Sequence, residues 1–496
     1  MSLLGIDIGT SGCKSVAFSV QGKELAKVSR EYDILNEGDG YAELNCLNVW
    51  GKVKETIKVV SSQVKEDPIE ALSVSSLGEA MVPVTKDRII LGNSILGFDQ
   101  RGDEFLKRFL ESISPEEIFK INGNFPGAFY SMPKIAWIKK NKPELYSKAD
   151  YFLSWADFVC FMLGGRPITN YSLAGRTLLF DINTCQWSEK LLQMAGLDAV
   201  KFASPNPSGI SLGKVSPEIS KELNLNPDIQ IISGGHDQCC AALGSGIIND
   251  SKTAMYGMGT YICVVPAYSK IPDLEFMFKN KLNIENHVVS NLFISLIYNL
   301  SGGALVKWFS KTFSDFNNTL SNQSQNIFDK LFDEIPNSIN DIIVIPRFGP
   351  TGPPEFLMES AGTISGLSFN HTRGDILLAL LEGITFYFKD FLMNLKEFDL
   401  EVNMLNANGG GSNSKKWLQV TADILNKPIA RNSVTEASSL GASILAGIGS
   451  GIFSSYEEGV NSMIKQDLVI NPILSNSKIY DTKFEKYNKL YSFLRH

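Results

Sequence analysis

The sequence predicts an α/β protein of at least two domains. Its 496 residues exceed what one hydrophobic core organises. Apolar runs of strand length alternate with longer amphipathic stretches in both halves. A strand ending in a Gly-Thr turn also occurs twice, as LLGIDIGTS at the start and as TAMYGMGTY from Thr253. That recurrence predicts two similarly built halves, residues 1–246 and 247–496.

The elements follow in order. Leu3–Ile8 reads as a buried strand, Lys14–Val20 as a second and Leu25–Val28 as a third, with Gln21-Gly22 as a hairpin turn. The chain therefore opens as an antiparallel meander. Val49 to Val64 has a helical apolar face of Val53, Ile57 and Val60. ALSVSS is a strand running into LGEA, a helix is expected around Pro133–Lys140, and DIQIISGG is a strand with a Gly turn at its end. In the second half, Ser314–Asn326 is polar and expected to be exposed. A long amphipathic helix begins near Gly374. EVNMLNANGGGSNS is a strand feeding a glycine run, and KKWLQVTADIL is the helix after it.

Hydrophobic residues make up 44% and charged residues 20% of the chain, which is a globular composition and not a disordered one. A net charge of -7 gives no electrostatic reason to expect nucleic acid or an anionic membrane as partner. No apolar run reaches the roughly 18 residues of a membrane span. Seven scattered cysteines without a Cys-x-x-Cys pair fit free thiols in a reducing compartment. With no leader-like pattern at MSLLGIDIG, a cytoplasmic protein is expected.

Five stretches could carry chemistry. In DIGTSGCKS, Asp7 could hold a hydrated Mg²⁺, while Thr10, Ser11 and Lys14 could face phosphate; a hairpin turn with a capping Asp explains it as well. GMGTY, with Gly259 and Thr260, could be a second phosphate clamp or an ordinary turn. In NGGGSNSKKW, three glycines before a helix let a ligand lie on bare backbone, which favours binding over a mere flexible turn. SSLGEAM and GFDQRG put Glu79, Asp99 and Arg101 beside glycines, as hydrogen-bonding groups for a polyol or as ion pairs. Last, SGGHDQCCAALGSG holds Asp237 between His236 and Gln238. Its cysteines read as buried packing, and the four histidines of the chain are too few to suggest a metal cluster. Asp237 is either a proton acceptor or a helix N-cap.

The order of these stretches resembles the FGGY carbohydrate kinases, the family of xylulokinase, gluconate kinase and glycerol kinase. GTISGLSFNHTRGDILLALLE (Gly362–Glu382) fits the family's C-terminal signature, and LSGGALVKWF is similar to another of its segments. GGGSNSKKWLQVTADILNKPI looks like the family's adenosine-binding segment and EASSLGASILAGIGSGIF like its C-terminal helix. The resemblance implies two actin-like, RNase H-like (ASKHA) domains. Each would have a mixed five-stranded sheet flanked by helices, with ATP and substrate in the interdomain cleft. It implies an alcohol-accepting phosphotransferase that uses ATP and Mg²⁺, with Asp237 as general base and Asp7 and Asp237 near the metal. Thr10, Ser11, Lys14, Gly259, Thr260, Gly303, Lys307, Gly410 and Ser414 match nucleotide-contacting positions.

The acceptor positions implied are Gly78, Glu79, Phe98, Asp99, Arg101, Asp237 and Gln238. Glycerol kinases have Arg-Glu where this chain has Gly78-Glu79, and xylulokinases have Met-His. Gln238 is glycerol-kinase-like, but the missing Arg, and Phe98 in place of a Trp, argue against glycerol. A larger polyhydroxy acceptor is expected: a ketopentose, a pentitol or tetritol, a fuculose-type sugar or a sugar acid such as gluconate. Xylulokinase-like activity ranks first. The rival class is an actin- or Hsp70-like ATP-driven switch on the same scaffold. The expected partner is a small sugar or polyol, with a homodimer as an allowed assembly. A carboxylate at a helix N-terminus should be held ionised by the helix dipole, which would lower the basicity of Asp237.

Overall fold

A computed structural model describes residues 1–36, 38, 40–313, 324–349, 351–352, 355, 357, 361–395 and 400–494. The chain divides into two compact units. The first comprises Met1–Asn249, Tyr268–Ser295 and Glu436–Lys465; the second comprises Asp250–Ala267, Leu296–Thr435 and Gln466–His496. The first crossing lies three residues from the expected break at 246, but the second half of the chain is not one unit. Two of its segments return to the first.

The sheet of the first unit has six strands in the order Ser211–Lys214, Gln230–His236, Ile69–Ser76, Ser2–Ile8, Gly12–Ser19 and Glu24–Glu31. The opening meander is antiparallel, with Gly22 at positive φ in its second turn. Ser2–Ile8, Ile69–Ser76 and Gln230–His236 run parallel. Ser211–Lys214 adds an antiparallel edge strand beyond the five expected. Alternation along the first strand sorts its two faces. Leu4, Ile6 and Ile8 enter a core with Val49, Val53, Ile57 and Val60 of the Cys46–Gln63 helix and with Phe158 and Val159 of the Trp155–Leu163 helix. Asn45 caps the first of these helices by accepting from the Asn48 N–H at 2.9 Å.

The opposite face carries Leu3, Gly5 and Asp7, and the helix Ala437–Gly449 lies directly on it. A Cβ on Gly5 would sit 1.9 Å from the Ser439 carbonyl oxygen. The same helix meets Asp237–Gly244 backbone to backbone. A Cβ on Gly441 would lie 1.8 Å from the Cys240 oxygen, and one on Gly244 would lie 2.0 Å from the Ala437 oxygen. This close packing is the physical reason that 436–465 belongs to the first unit. A second core in this unit gathers Met81, Ile118, Ile135, Phe152 and Leu191, among others.

The Gly-Gly of DIQIISGG is not a turn. The strand continues through it to His236, with a register irregularity between Ile232 and Gly235. A Cβ on Gly234 would fall 1.7 Å from the Val74 oxygen, so the glycine lets two strands approach where a side chain would collide.

The second unit repeats the plan. Thr253–Met258 forms an antiparallel hairpin with Ile262–Tyr268, then pairs in parallel with Met404–Asn408. Ile429–Asn432 follows in parallel and Gln466–Ile470 closes antiparallel. Hairpin, parallel, parallel, antiparallel is also the order of the first sheet. Helices Gly303–Phe313, Arg373–Leu395, Lys415–Leu425 and Leu474–Leu494 belong to this unit. Most of the polar segment Ser314–Asn326 lies outside the described residues, though a helix begins at Ser324.

Glycine contacts give opposite stability effects. Gly441→Ala should cost about 1–3 kcal/mol or more through overpacking against Cys240. Gly51→Ala, mid-helix with nothing within 4 Å of its added Cβ, should gain about 0.4–1 kcal/mol. Urea unfolding of both variants checks the difference in sign.

Candidate active site

The carboxyl ends of three parallel strands make the site of the first unit. Register places Asp7 beside Ser75, and Ser75 beside Gly235. Ligands of open α/β sheets gather at such strand ends. Asp237 follows directly as the first residue of the helix Asp237–Gly244, with His236 at the cap position. It therefore supplies charge at the helix start without acting as the side-chain cap.

Asp237 is flanked by charge. His236 Nε2 lies 3.2 Å from Asp237 Oδ1, and His236 Nδ1 lies 3.5 Å from Glu285 Oε2. The His236 backbone N–H donates to Ser172 Oγ at 3.0 Å. Burial pushes the Asp237 carboxyl above its ordinary range; His236 opposes that shift and the Glu79 carboxylate adds to it. The expectation from the helix dipole is thereby reversed, because desolvation and a like charge outweigh the helix end. Asp7 is pushed up to about 7, first by burial and then by repulsion from Asp237, with Lys14 and the nearby Ser75 hydroxyl pulling the other way. Two half-buried carboxylates, of which Asp237 repels charge on Asp7, are a donor set a divalent cation would relieve.

Arg176 and Glu285 were not found by reading the sequence. Arg176, buried at the end of the short Tyr171–Gly175 helix, donates from Nε to Glu79 Oε1 at 2.8 Å and from its two amino groups to Glu79 and Glu285. Glu285 also accepts from Asn283 Nδ2 at 2.9 Å, and the paired cations hold its carboxyl below the usual range against the effect of burial. Arg176 lies 97 positions from Glu79 and 109 from Glu285, and nothing near RTLLF or NIENH marks either partner. Gly78 is explained by the same packing. A Cβ there would lie 2.9 Å from Arg176 Cγ and 3.1 Å from His236 Cδ2, so a side chain would displace the cluster.

The other expected acceptor residues divide. Glu79 joins the Asp237 cluster through Arg176. Gly97 lies against Glu79, with its Cβ position 3.7 Å from the Glu79 Cβ, and Phe98 is exposed. Asp99 and Arg101 are instead a closed internal knot. Asp99 accepts from the Ala42 N–H at 2.6 Å and from Arg101, while Arg101 reaches Glu43 at 2.6 Å. The Arg101 guanidinium lies 4.0 Å from the centre of the Tyr41 ring and 4.9 Å from that of Trp137. Their polar groups are taken up inside the fold, which corrects the expectation that they hydrogen-bond a polyol. Gln238 is half-buried beside Asp237.

Thr10 and Ser11 form the tip of the first hairpin, closed by Gly9 N–H donating to the Gly12 oxygen at 2.9 Å. Lys14 is not free. Its ammonium is bound to Glu436, which also accepts from Lys27 at 2.9 Å. In the second unit, the Gly303 and Ala304 N–H groups donate to the Gly259 and Thr260 carbonyls at 3.0 and 2.9 Å. The Gly-Thr turn therefore braces the helix start, and Lys307 stays exposed on that helix. Gly409 holds φ at +81°, Gly410 is open, and Ser414 caps the following helix by accepting from the Trp417 N–H at 3.2 Å.

His236, Cys239 and Glu285 could offer ligand atoms within 4.8 Å of one another. The guanidinium already bound to Glu285, and a Cys239 thiol pushed well up by burial, make this a packed electrostatic cluster.

Comparison with known proteins decides the family. Residues 2–244 match the N-terminal domain of the FGGY family of carbohydrate kinases, and residues 288–450 match its C-terminal domain. The chain belongs to the FGGY family of carbohydrate kinases. It is thus a phosphotransferase of the FGGY fold and not an actin- or Hsp70-like switch. The xylulose kinase of Bacillus subtilis (strain 168) is 29% identical, with 99% of this chain and 96% of that protein covered. A ligand-bound xylulose kinase structure from Lactobacillus acidophilus matches with a TM-score of 0.88 at 22% identity, over 100% of this chain and 98% of that one. A gluconate kinase structure from the same organism matches with 0.87 at 22%, over 99% and 98%. Among the described residues, no helix of this FGGY kinase is long and apolar enough to cross a membrane.

Removing Arg176 should leave two carboxylates without their counter-charge. Arg176→Met is expected to cost about 3–5 kcal/mol. Adding Glu285→Gln should recover part of that loss, and thermal unfolding of the single and double variants measures the coupling.

Proposed function

We propose that this chain transfers the γ-phosphoryl group of ATP, with Mg²⁺, to a hydroxyl of a ketose or polyol, with a xylulose-like ketopentose as the leading acceptor. The observation that carries this is Asp237. It is a carboxylate of raised basicity at the end of the central strands, next to a second carboxylate, Asp7, that calls for a cation. The full-length similarity to xylulose kinases supports the choice of acceptor.

Each residue then has a chemical task. Asp237 accepts the proton of the attacking hydroxyl, an effect typically worth about 10²–10⁴ in rate. Its raised pKa makes it a better base than an exposed Asp. Glu79, held by Arg176, accepts hydrogen bonds from other hydroxyls and orients the acceptor. Asp7, with Asp237, would hold the cation. In the first unit Thr10 and Ser11 would face phosphate; in the second, the turns at Gly259–Thr260, Gly303, Lys307, Gly410 and Ser414 are the nucleotide-contacting positions. Bare glycine backbone there leaves amides within reach of phosphate oxygens. Bound Mg²⁺-ATP supplies the transferable phosphoryl group and neutralises its charge. Lys14 serves that charge when it exchanges its bond to Glu436 for a phosphate oxygen. The assembly is proposed to be a homodimer.

Asp237→Asn should abolish phosphoryl transfer to D-xylulose and to every other sugar or polyol tested, while calorimetry still detects ATP binding; turnover near wild type removes Asp237 as base. Glu79→Ala should raise the acceptor KM at least about tenfold, a loss of ~1.4 kcal/mol, and leave the ATP KM unchanged. Because a base must be ionised, kcat/KM should rise with pH. Its acid limb should lie above the ordinary Asp value of about 3.9, as a pH–rate profile would show.

A further inference from the structure

The cluster beside Asp237 has more carboxylates than cations. Asp237, Glu79 and Glu285 face Arg176 and His236 within it. Arg176 is the group that would ordinarily receive a carboxylate ligand, because a guanidinium pairs with carboxylates in bidentate fashion. All three of its nitrogens are already engaged by protein carboxylates. Nε and one amino group serve Glu79, and the other amino group serves Glu285. Glu285 is almost wholly buried, with a side chain 1% exposed, and Asn283 donates to the same Oε1 that Arg176 holds. It is therefore placed to cancel Arg176 from behind without itself reaching solvent.

We propose that Glu285 is a specificity-determining residue that neutralises Arg176 and thereby restricts the acceptor to uncharged polyhydroxy compounds, excluding sugar acids. This rests on the reading of Asp237 and Glu79 as the acceptor site, and it decides between acceptors that similarity leaves open, since the related proteins include both a xylulose kinase and a gluconate kinase. The discrimination is repulsive. An acceptor carboxylate would enter beside Glu79 and Asp237 and find no cation with free charge. Glu285 acts through Arg176, so it is a positioning residue and not a catalytic one.

The test compares acceptors that differ in charge: D-xylulose and D-glucitol against D-gluconate, with wild type and Glu285→Gln. Wild type should favour the neutral acceptors in kcat/KM by at least about 100-fold, or ~2.8 kcal/mol. Glu285→Gln removes one of the negative charges that offset Arg176, so that ratio should fall at least about tenfold. The fall should come through a lower KM for gluconate, with the ATP KM unchanged. A wild type that prefers gluconate overturns the proposal, as does an unchanged ratio in a Glu285→Gln protein that melts like wild type. Direct calorimetric binding of D-glucitol and D-gluconate to wild type gives a second measurement that needs neither turnover nor the variant. Gluconate binding as tightly as glucitol also overturns the charge rule. If no acceptor of either charge is phosphorylated while glucitol still binds more tightly than gluconate, the kinase assignment of the acceptor fails and the charge rule stands.

Discussion

Three glycines let backbone touch backbone on one face of the first sheet. Gly5 meets the Ser439 carbonyl, Gly441 that of Cys240, and Gly244 that of Ala437. Backbone-to-backbone packing is stiff, since no side-chain rotamer can absorb a shift. The contact joins the strand that carries Asp7, the helix that begins at Asp237 and the helix that follows Glu436. Three acidic groups from distant parts of the sequence thus keep fixed separations in the absence of any ligand. Orientation of this kind is what a transfer site needs from its scaffold.

On that scaffold the charges alternate. Glu79, Arg176, Glu285, His236 and Asp237 form a chain in which each acid has a base beside it. Arg176, Glu285 and His236 are the buried members, and their charges are compensated by one another. Asp7 is the exception. Its like-charged neighbour Asp237 disfavours ionisation, and Lys14 is shared with Glu436. On the side toward Glu79 each acid has a basic partner although acids outnumber bases, whereas Asp7 shares its one lysine with Glu436.

Most of the architecture was legible in the sequence because it is written in local periodicity. The meander, the Pro133 helix and the strand into SGGH follow from alternation, apolar faces and turn residues over short windows. The Gly-Gly of SGGH misled because glycine serves both turns and close strand contacts, and only the position of Val74 on the neighbouring strand distinguishes them. The return of residues 268–295 and 436–465 to the first unit was not legible, since it depends on which distant backbone a helix packs against. Asp237 is singled out by its place in an ordered series of motifs. Arg176 and Glu285 are not, because their meaning comes wholly from each other. Asp99 and Arg101 looked like ligand groups for the converse reason: two charges beside a glycine read the same whether they face a polyol or one another.

The two cysteines after Asp237 have a consequence of their own. Cys239 and Cys240 are fully buried, and burial raises both thiols well above their ordinary range. Thiolate is the reactive form toward oxidants and alkylating agents. Cys13, Cys46 and Cys160 are buried as well, leaving Cys185 and Cys263 as the partly accessible thiols. The two sulfurs that follow Asp237 in the chain are thus held as buried thiols, the less reactive form.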